Sequence, residues 1–336
     1  MPSKPTIFAC CMTLLLSLNN LTATEAPQEG SYPRALAGDH ELLSYADVNG
    51  VTLAYRLEGA GVPVIFVHGE GYSHELWNEQ LETFGERYLT LTYDRRGHGQ
   101  SDDPVTGYSE TAHAQDLDAL MQHFGMHEAH FVVNSRGGAV IIQFLKLFGE
   151  RVRSITFADA TIPLAPITEE SAFHGVVPRL SAPPPTLEQA LQGREGAKKS
   201  PFTRIAQSRP EVREVLNRMA DQYSPRVAMN PQRSDMAAAI HIGPWNARDF
   251  PDMEKLYQPI LLIVAEQGDA FFIEGAREAH RLWPNTRFQL MPGVDHLLML
   301  EEPAAFNQRV LGFLAEVDEI IAGRERWTDV RQGGDY

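Results

Sequence analysis

The sequence predicts an α/β fold with a mostly parallel sheet. Apolar runs of strand length alternate with segments of helical length, joined by short connections. One run, Phe131-Val132-Val133, passes through Ser135 and Gly137-Gly138 straight into the apolar stretch Ala139 to Phe148. A buried strand that turns sharply into a buried helix is the mark of such a sheet.

In chain order, Glu41 to Val48 and Val51 to Leu57 flank Asn49-Gly50, a strong hairpin signal. Val62 to Val67 is continuously apolar, as expected of a central parallel strand, and ends at His68-Gly69-Glu70-Gly71. Ser73 to Arg87 reads as a helix. Leu89 to Tyr93 reads as a strand and runs into Asp94-Arg95-Arg96-Gly97-His98-Gly99-Gln100-Ser101-Asp102. Ser109 to Gly125 places Leu117, Leu120, Met121 and Phe124 on one helical face. After the stretch around Ser135, Ser154 to Ala158 is another strand. His68, Asp94, Ser135 and Asp159 then all fall just past strand ends, the rim where ligands bind in such sheets.

From Thr161 to Lys255 the strand rhythm stops. Pro178 to Pro185 reads as a stiff linker. Thr186 to Ala197, Pro210 to Gln222 and Pro231 to Ile242 read as helices, the last two with proline in the first turn. A mainly helical cap over the rim is the expectation. Core rhythm returns with the strand Pro259 to Ala265, the helix Ala270 to Leu282, the strand Thr286 to Met291 and the helix Pro303 to Ala322.

The expected organisation is a signal peptide over 1–26 and a flexible arm over 27–40. The core occupies 41–160 and 256–322, the cap 161–255, and a polar tail 323–336. The leader reading rests on Lys4, the apolar run Ile7 to Leu18 and the small residues Ala23 and Ala26. It implies a secreted or periplasmic protein. The run is too short for a permanent membrane span. Cys10 and Cys11 are the only cysteines, and both lie in that leader. A processed chain would have no disulfide and no thiolate nucleophile. The net charge of −15 argues against nucleic acid and anionic lipid as partners; the partner expected is a small-molecule substrate, on the ground of the resemblance given below. The oligomeric state is not legible.

Ser135 has a chemical use at its corner. A tight strand-to-helix turn lifts the hydroxyl clear of the sheet, next to helix N–H groups that lack intrahelical partners. That sets a nucleophile beside donors for an oxyanion. Serine before Gly-Gly is also ordinary turn chemistry. Gly97-His98-Gly99 lacks the third glycine of a dinucleotide loop and reads as a tight turn. His123, His127 and His130 are spaced like ligands but read as exposed histidines, with no partnering carboxylates to make a metal site. His68 reads as a structural residue of its turn, and His98 with Arg95 as braces of the rim. Phe173, His174 and Trp245 are candidates for the pocket or the packing of the cap, as Phe271 and Phe272 are for the pocket or the core.

Over roughly residues 45–320 the order of features resembles the α/β-hydrolase superfamily, serine-nucleophile branch with a helical cap. The matching pieces are His68-Gly69, the Asp94-x-x-Gly97-x-Gly99-x-Ser101 turn, the Ser135 elbow, a late acidic loop and Pro292-Gly293-x-Asp295-His296. The resemblance implies a triad of Ser135, Asp269 and His296, with Asp159 as the alternative acid. It implies an oxyanion hole from the backbone N–H groups of Glu70 and Arg136, and no cofactor or metal. Val133 replaces the first glycine of the family's elbow, and Gly268 stands where the acid is often found. Glu70 and Arg136 would face the same site, so they either pair or leave Arg136 to bind a substrate carboxylate. The implied activity is hydrolysis of a small to medium ester or lactone through an acyl-enzyme. Amidase, carbon–carbon hydrolase and cofactor-free haloperoxidase or perhydrolase chemistry use the same triad. A non-hydrolytic ligand-binding member of the fold is the alternative from another class.

Overall fold

A computed structural model describes residues 43–162, 185–199, 204–229 and 257–323. The expected leader, the N-terminal arm, the linker up to 184, the helix from Pro231, Phe173, His174, Trp245 and the tail beyond 323 lie outside these residues. The described part forms one eight-stranded sheet, β1 Ser44–Val48, β2 Val51–Gly59, β3 Pro63–Val67, β4 Leu89–Tyr93, β5 Ala129–Ser135, β6 Val152–Ala160, β7 Ile260–Ala265 and β8 Thr286–Met291. Their spatial order is β1-β2-β4-β3-β5-β6-β7-β8. β2 pairs antiparallel with both β1 and β4, and the pairs from β4 to β8 are parallel. Asn49 and Gly50 turn the hairpin with φ of 48° and 74°, as the Asn-Gly signal requires.

The helices are α1 Asn78–Gly85, α2 Glu110–His123, α3 Gly137–Phe148, α4 Leu187–Lys199, α5 Arg204–Ser208, α6 Pro210–Gln222, α7 Pro225–Met229, α8 Ala270–Leu282, α9 Leu298–Glu301 and α10 Pro303–Ile321. The expected helix from Ser73 is a 3-10 turn over His74–Trp77 followed by α1, with the Ser73 hydroxyl accepting from the Glu75 N–H. Both faces of the sheet are covered. Ile65, Val67, Phe131 and Val133 pack with Val140, Phe144 and Leu117 on one side. Val64, Phe66 and Val132 pack with Phe84, Phe306 and Val310 on the other. A strand between two apolar layers has no polar side to show, which is why these runs are unbroken. Among the described residues no helix is long and apolar enough to cross a membrane.

The turn after β4 is held by its own side chains. Asp94 accepts from the N–H of His74 at 2.6 Å and of Gln100 at 2.8 Å, and Ser101 Oγ donates to the Asp94 carbonyl at 2.6 Å. Gly99 has φ 52°, and a Cβ there would lie 2.0 Å from Asp94 Oδ2, so only glycine fits. The turn is structural, as its glycine spacing indicates.

His130 departs from its expectation. His123 and His127 are exposed, but His130 is fully buried within β5. Its Nδ1 meets Ser154 Oγ at 2.7 Å and its Nε2 meets Asp318 Oδ1 at 3.1 Å. Tyr88 and Arg153 also donate to Asp318. This cluster ties α10 to the start of the parallel strands.

Candidate active site

Ser135 is the last residue of β5 and has φ 48°, a left-handed conformation that costs a non-glycine residue about 1–2 kcal/mol. The strain is held in place by close backbone packing on three sides. A Cβ on Gly137 would lie 2.6 Å from the Val67 carbonyl oxygen, and one on Gly138 2.5 Å from that of Thr161. A Cβ on Gly69 would lie 2.7 Å from the Ser135 Cβ. Only glycines permit these approaches. Val133, where the family's elbow has glycine, is simply buried in the strand.

Asp159 owes its position to a register shift. Asn134 pairs with Ala158 and Ser135 with Ala160, so Asp159 is an extra residue in β6, with φ 44°. Bulges of this kind re-aim a side chain beside functional sites. The Asp159 carboxylate is fully buried, its Oδ2 lies 2.6 Å from His296 Nδ1, and its Oδ1 accepts from the Ala265 N–H at 3.2 Å. Burial raises its pKa, while the hydrogen bonds from His296 and Ala265 oppose the rise and favour the carboxylate.

The imidazole of His296 is thus bonded to Asp159, the alternative acid, where the sequence favours Asp269. Asp269 is the N-cap of α8, and its carboxylate accepts from the Phe271 N–H at 2.8 Å. The turn after β7 puts Gly268 beside Asp159, since a Cβ on Gly268 would lie 3.3 Å from Asp159 Oδ1. That same turn delivers Phe272 instead, whose ring stacks on His296 with centroids 4.6 Å apart and planes 16° from parallel. The backbone of His296 is anchored to the elbow, where Asn134 Nδ2 donates to its carbonyl at 3.4 Å.

Glu70 and Arg136 pair through their side chains. Arg136 Nε lies 3.6 Å from Glu70 Oε2, and Arg136 Nη2 donates to Glu110 at 3.0 Å. The fully buried Arg95 lies 3.5 Å from Glu70 and donates to the Gly69 carbonyl at 2.9 Å. From the helices between β6 and β7, the Tyr223 hydroxyl donates to Glu70 Oε1. Burial works against the Glu70 charge, but Arg136, His98 and Arg95 outweigh it and hold its pKa at about 2. The side chain is still 30% exposed, so solvent screens part of that attraction. Burial opposes the Arg136 charge too, and Glu70 with Glu110 more than offsets this.

The histidines around this cluster are neutral. Burial and Arg95 push His98 down to about 3 and His68 well below its ordinary value. His68 accepts from the Arg95 N–H through Nε2 at 3.0 Å, and its Nδ1 meets the Gly69 carbonyl at 2.7 Å, which sets the tautomer with the proton on Nδ1. His68, Arg95 and His98 thus brace the loop after β3 rather than react.

Residues 62–303 match the family model for the alpha/beta hydrolase fold. The 2-(acetamidomethylene)succinate hydrolase of Mesorhizobium japonicum is 23% identical over 280 residues, 83% of this chain and 97% of that protein. The non-heme haloperoxidase of Rhodococcus erythropolis is 26% identical over 275 residues, 79% of this chain and 97% of its own. Among solved structures, the enol-lactonase of Burkholderia xenovorans superimposes with a TM-score of 0.66 at 20% identity, covering 81% of this chain and all of that one. The parallel sheet, the strained serine corner and the match over residues 62–303 together mean that this chain belongs to the alpha/beta hydrolase fold family.

Proposed function

We propose that the chain is a serine hydrolase acting on a small to medium ester or lactone. The observation that carries this reading is the Asp159–His296 hydrogen bond, with Asp159 bulged from the strand that pairs with the strained Ser135 and the His296 carbonyl bonded to the neighbouring Asn134. Ser135 Oγ attacks the carbonyl carbon and His296 takes its proton through Nε2. Asp159 holds the other ring nitrogen and stabilises the imidazolium. The backbone N–H groups of Arg136 and Glu70 receive the oxyanion. Collapse of the intermediate expels the alcohol, which takes the proton from His296. Water then attacks the acyl-enzyme by the same route in reverse.

Likeness to an enol-lactonase supports lactone chemistry, and likeness to a hydrolase of an acetamidomethylene succinate supports carbonyl hydrolysis more generally. The helices between β6 and β7 are assigned as a cap over the pocket, and the N-terminal residues as an export leader. Likeness to a non-heme haloperoxidase favours a second activity on the same triad, perhydrolysis of a carboxylic acid by peroxide.

The test is a fluorophosphonate label combined with a screen of aryl esters and lactones. A hydrolase labels on Ser135 and loses both label and turnover as Ser135→Ala. A folded wild-type chain that takes no label would sink the reading in favour of a ligand-binding role. Peroxide-dependent halogenation in acetate buffer separates the second activity.

A further inference from the structure

We propose that the substrate carries a carboxylate at the end of an apolar arm, and that a cavity beside the serine corner receives this arm. The proposal rests on the reading of Ser135 as the nucleophile. A cavity of about 470 Å³ lies between α4, α6, α7 and the loop after β3. Glu70, Gly71 and Tyr72 form one end. The preceding residue, Gly69, bridges the cavity wall and the serine corner: a Cβ on it would lie 2.7 Å from the Ser135 Cβ and 3.1 Å from the ring of Tyr72. Tyr72, Leu191, Leu216, Ala190, Ala220 and Ala228 give it apolar walls suited to a hydrocarbon segment.

Three cations, Arg194 and Lys198 of α4 and Arg213 of α6, also line it. Among the described residues Glu70 is the only acid in the lining, and its charge is already engaged by Arg136, Arg95 and Tyr223. In a chain of net charge −15, a described lining of three cations and one acid runs against the average, and an excess of one sign of charge in a cavity concentrates ligands of the other. Lys198 meets Asp221 at 2.7 Å and Glu195 at 3.1 Å, but those acids are 53% and 49% exposed, and neither lines the cavity. Exposed pairs of that kind are weak and exchange readily for a better-placed anion. Arg194 donates one N–H to the Asp221 carbonyl at 3.1 Å, and its buried Nε has no hydrogen-bond partner among the described residues. A carboxylate matches the flat fork of a guanidinium and would complete it. Arg136, the other candidate for such a contact, is instead paired with Glu70 and Glu110.

The test uses two fluorophosphonates with alkyl arms of equal length, one ending in methyl and one in carboxylate. In each, Ser135 Oγ bonds to phosphorus, fluoride leaves, and the serine proton passes to His296. The carboxylate probe is expected to label at least about tenfold faster, the size of one charge-assisted hydrogen bond. The double variant Arg194→Met, Lys198→Met brings the ratio of the two rates to about one, and Arg213→Met lowers it as a separately folded check. If both probes label wild-type Ser135 at equal rates, or the variants leave the ratio intact, the carboxylate arm is refuted and the serine reading stands. If neither probe labels Ser135, the serine reading fails and takes the arm with it.

Discussion

The Nδ1 atom of His296 lies 2.6 Å from Oδ2 of Asp159, across 137 positions of sequence. The acid leaves β6 and the elbow leaves β5, and these strands are neighbours in the sheet. The Thr161 N–H also donates to the Ser135 carbonyl at 2.8 Å, so the corner and the acid's strand are bonded directly.

Asp159 and Asp269 separate cleanly by mutation. Asp159→Asn is expected to lower kcat by roughly 10³–10⁴-fold, as loss of the orienting acid does in serine hydrolysis elsewhere. Asp269→Ala removes a helix cap and costs about 1 kcal/mol of stability with kcat near wild type. Steady-state rates and thermal melts of both variants check this. The reverse pattern would return the catalytic role to Asp269.

Strain at Ser135 gives a second expectation. Ser135→Ala keeps the left-handed backbone under a side chain, whereas Ser135→Gly relieves it. Both variants are inactive, and the glycine form is more stable than the alanine form, by up to about 1 kcal/mol. Urea denaturation decides the order.

The pairing of Glu70 with Arg136 links the side chains of both proposed oxyanion donors. Glu70→Gln should lower kcat about tenfold with little change in KM, a fraction of the 10²–10³ that a lost donor costs. Equal loss in KM alone would make the pair a substrate contact.

Acid should destabilise the fold in two stages. Burial holds His68, His98, His113 and His130 below their ordinary pKa, so the unfolded chain binds protons that the folded chain refuses. Stability is then intact above about pH 6.5 and falls below it, by up to about 1.4 kcal/mol per pH unit for each such histidine. The Glu70 pKa is lowered to about 2. Its contribution is present above the unfolded carboxylate value and is lost as pH falls from about 4.5 toward 2. Denaturation midpoints across pH 8 to 3 test both, and Glu70→Gln should flatten only the lower stage.

Ser154, His130 and Asp318 form a hydrogen-bonded chain of the same three residue types, at the other end of the strands. Ser154 is fully buried and has no route to substrate. Peptide mapping should find the fluorophosphonate on Ser135 alone. Ser154→Ala should keep activity and cost about 1–3 kcal/mol of stability, since it leaves a buried imidazole nitrogen unpaired.

Much of this was legible in the sequence because it is local. Asn49-Gly50 marks the hairpin, the unbroken apolar runs mark the central strands, and Ser135 before Gly137-Gly138 marks the corner. The bounds of α6 and α8 follow from proline, capping and periodicity. The choice between Asp159 and Asp269 was not legible, because a bulge in β6 is a property of register between two strands. His130 misled for a similar reason, as its partner Asp318 lies 188 positions away. The helices α5, α7 and α9 have four or five residues, too few to display a period.

With Asp159 of β6 as the proposed acid, the turn between β7 and α8 need not supply a reactive group. Toward the imidazole it offers the aromatic face of Phe272, and its Gln267 N–H donates to the Val294 carbonyl at 3.0 Å, two residues before His296. Insertions in this turn should therefore be tolerated where both that face and the Gln267–Val294 bond are kept, which makes the turn a natural point of entry for laboratory evolution of new selectivity.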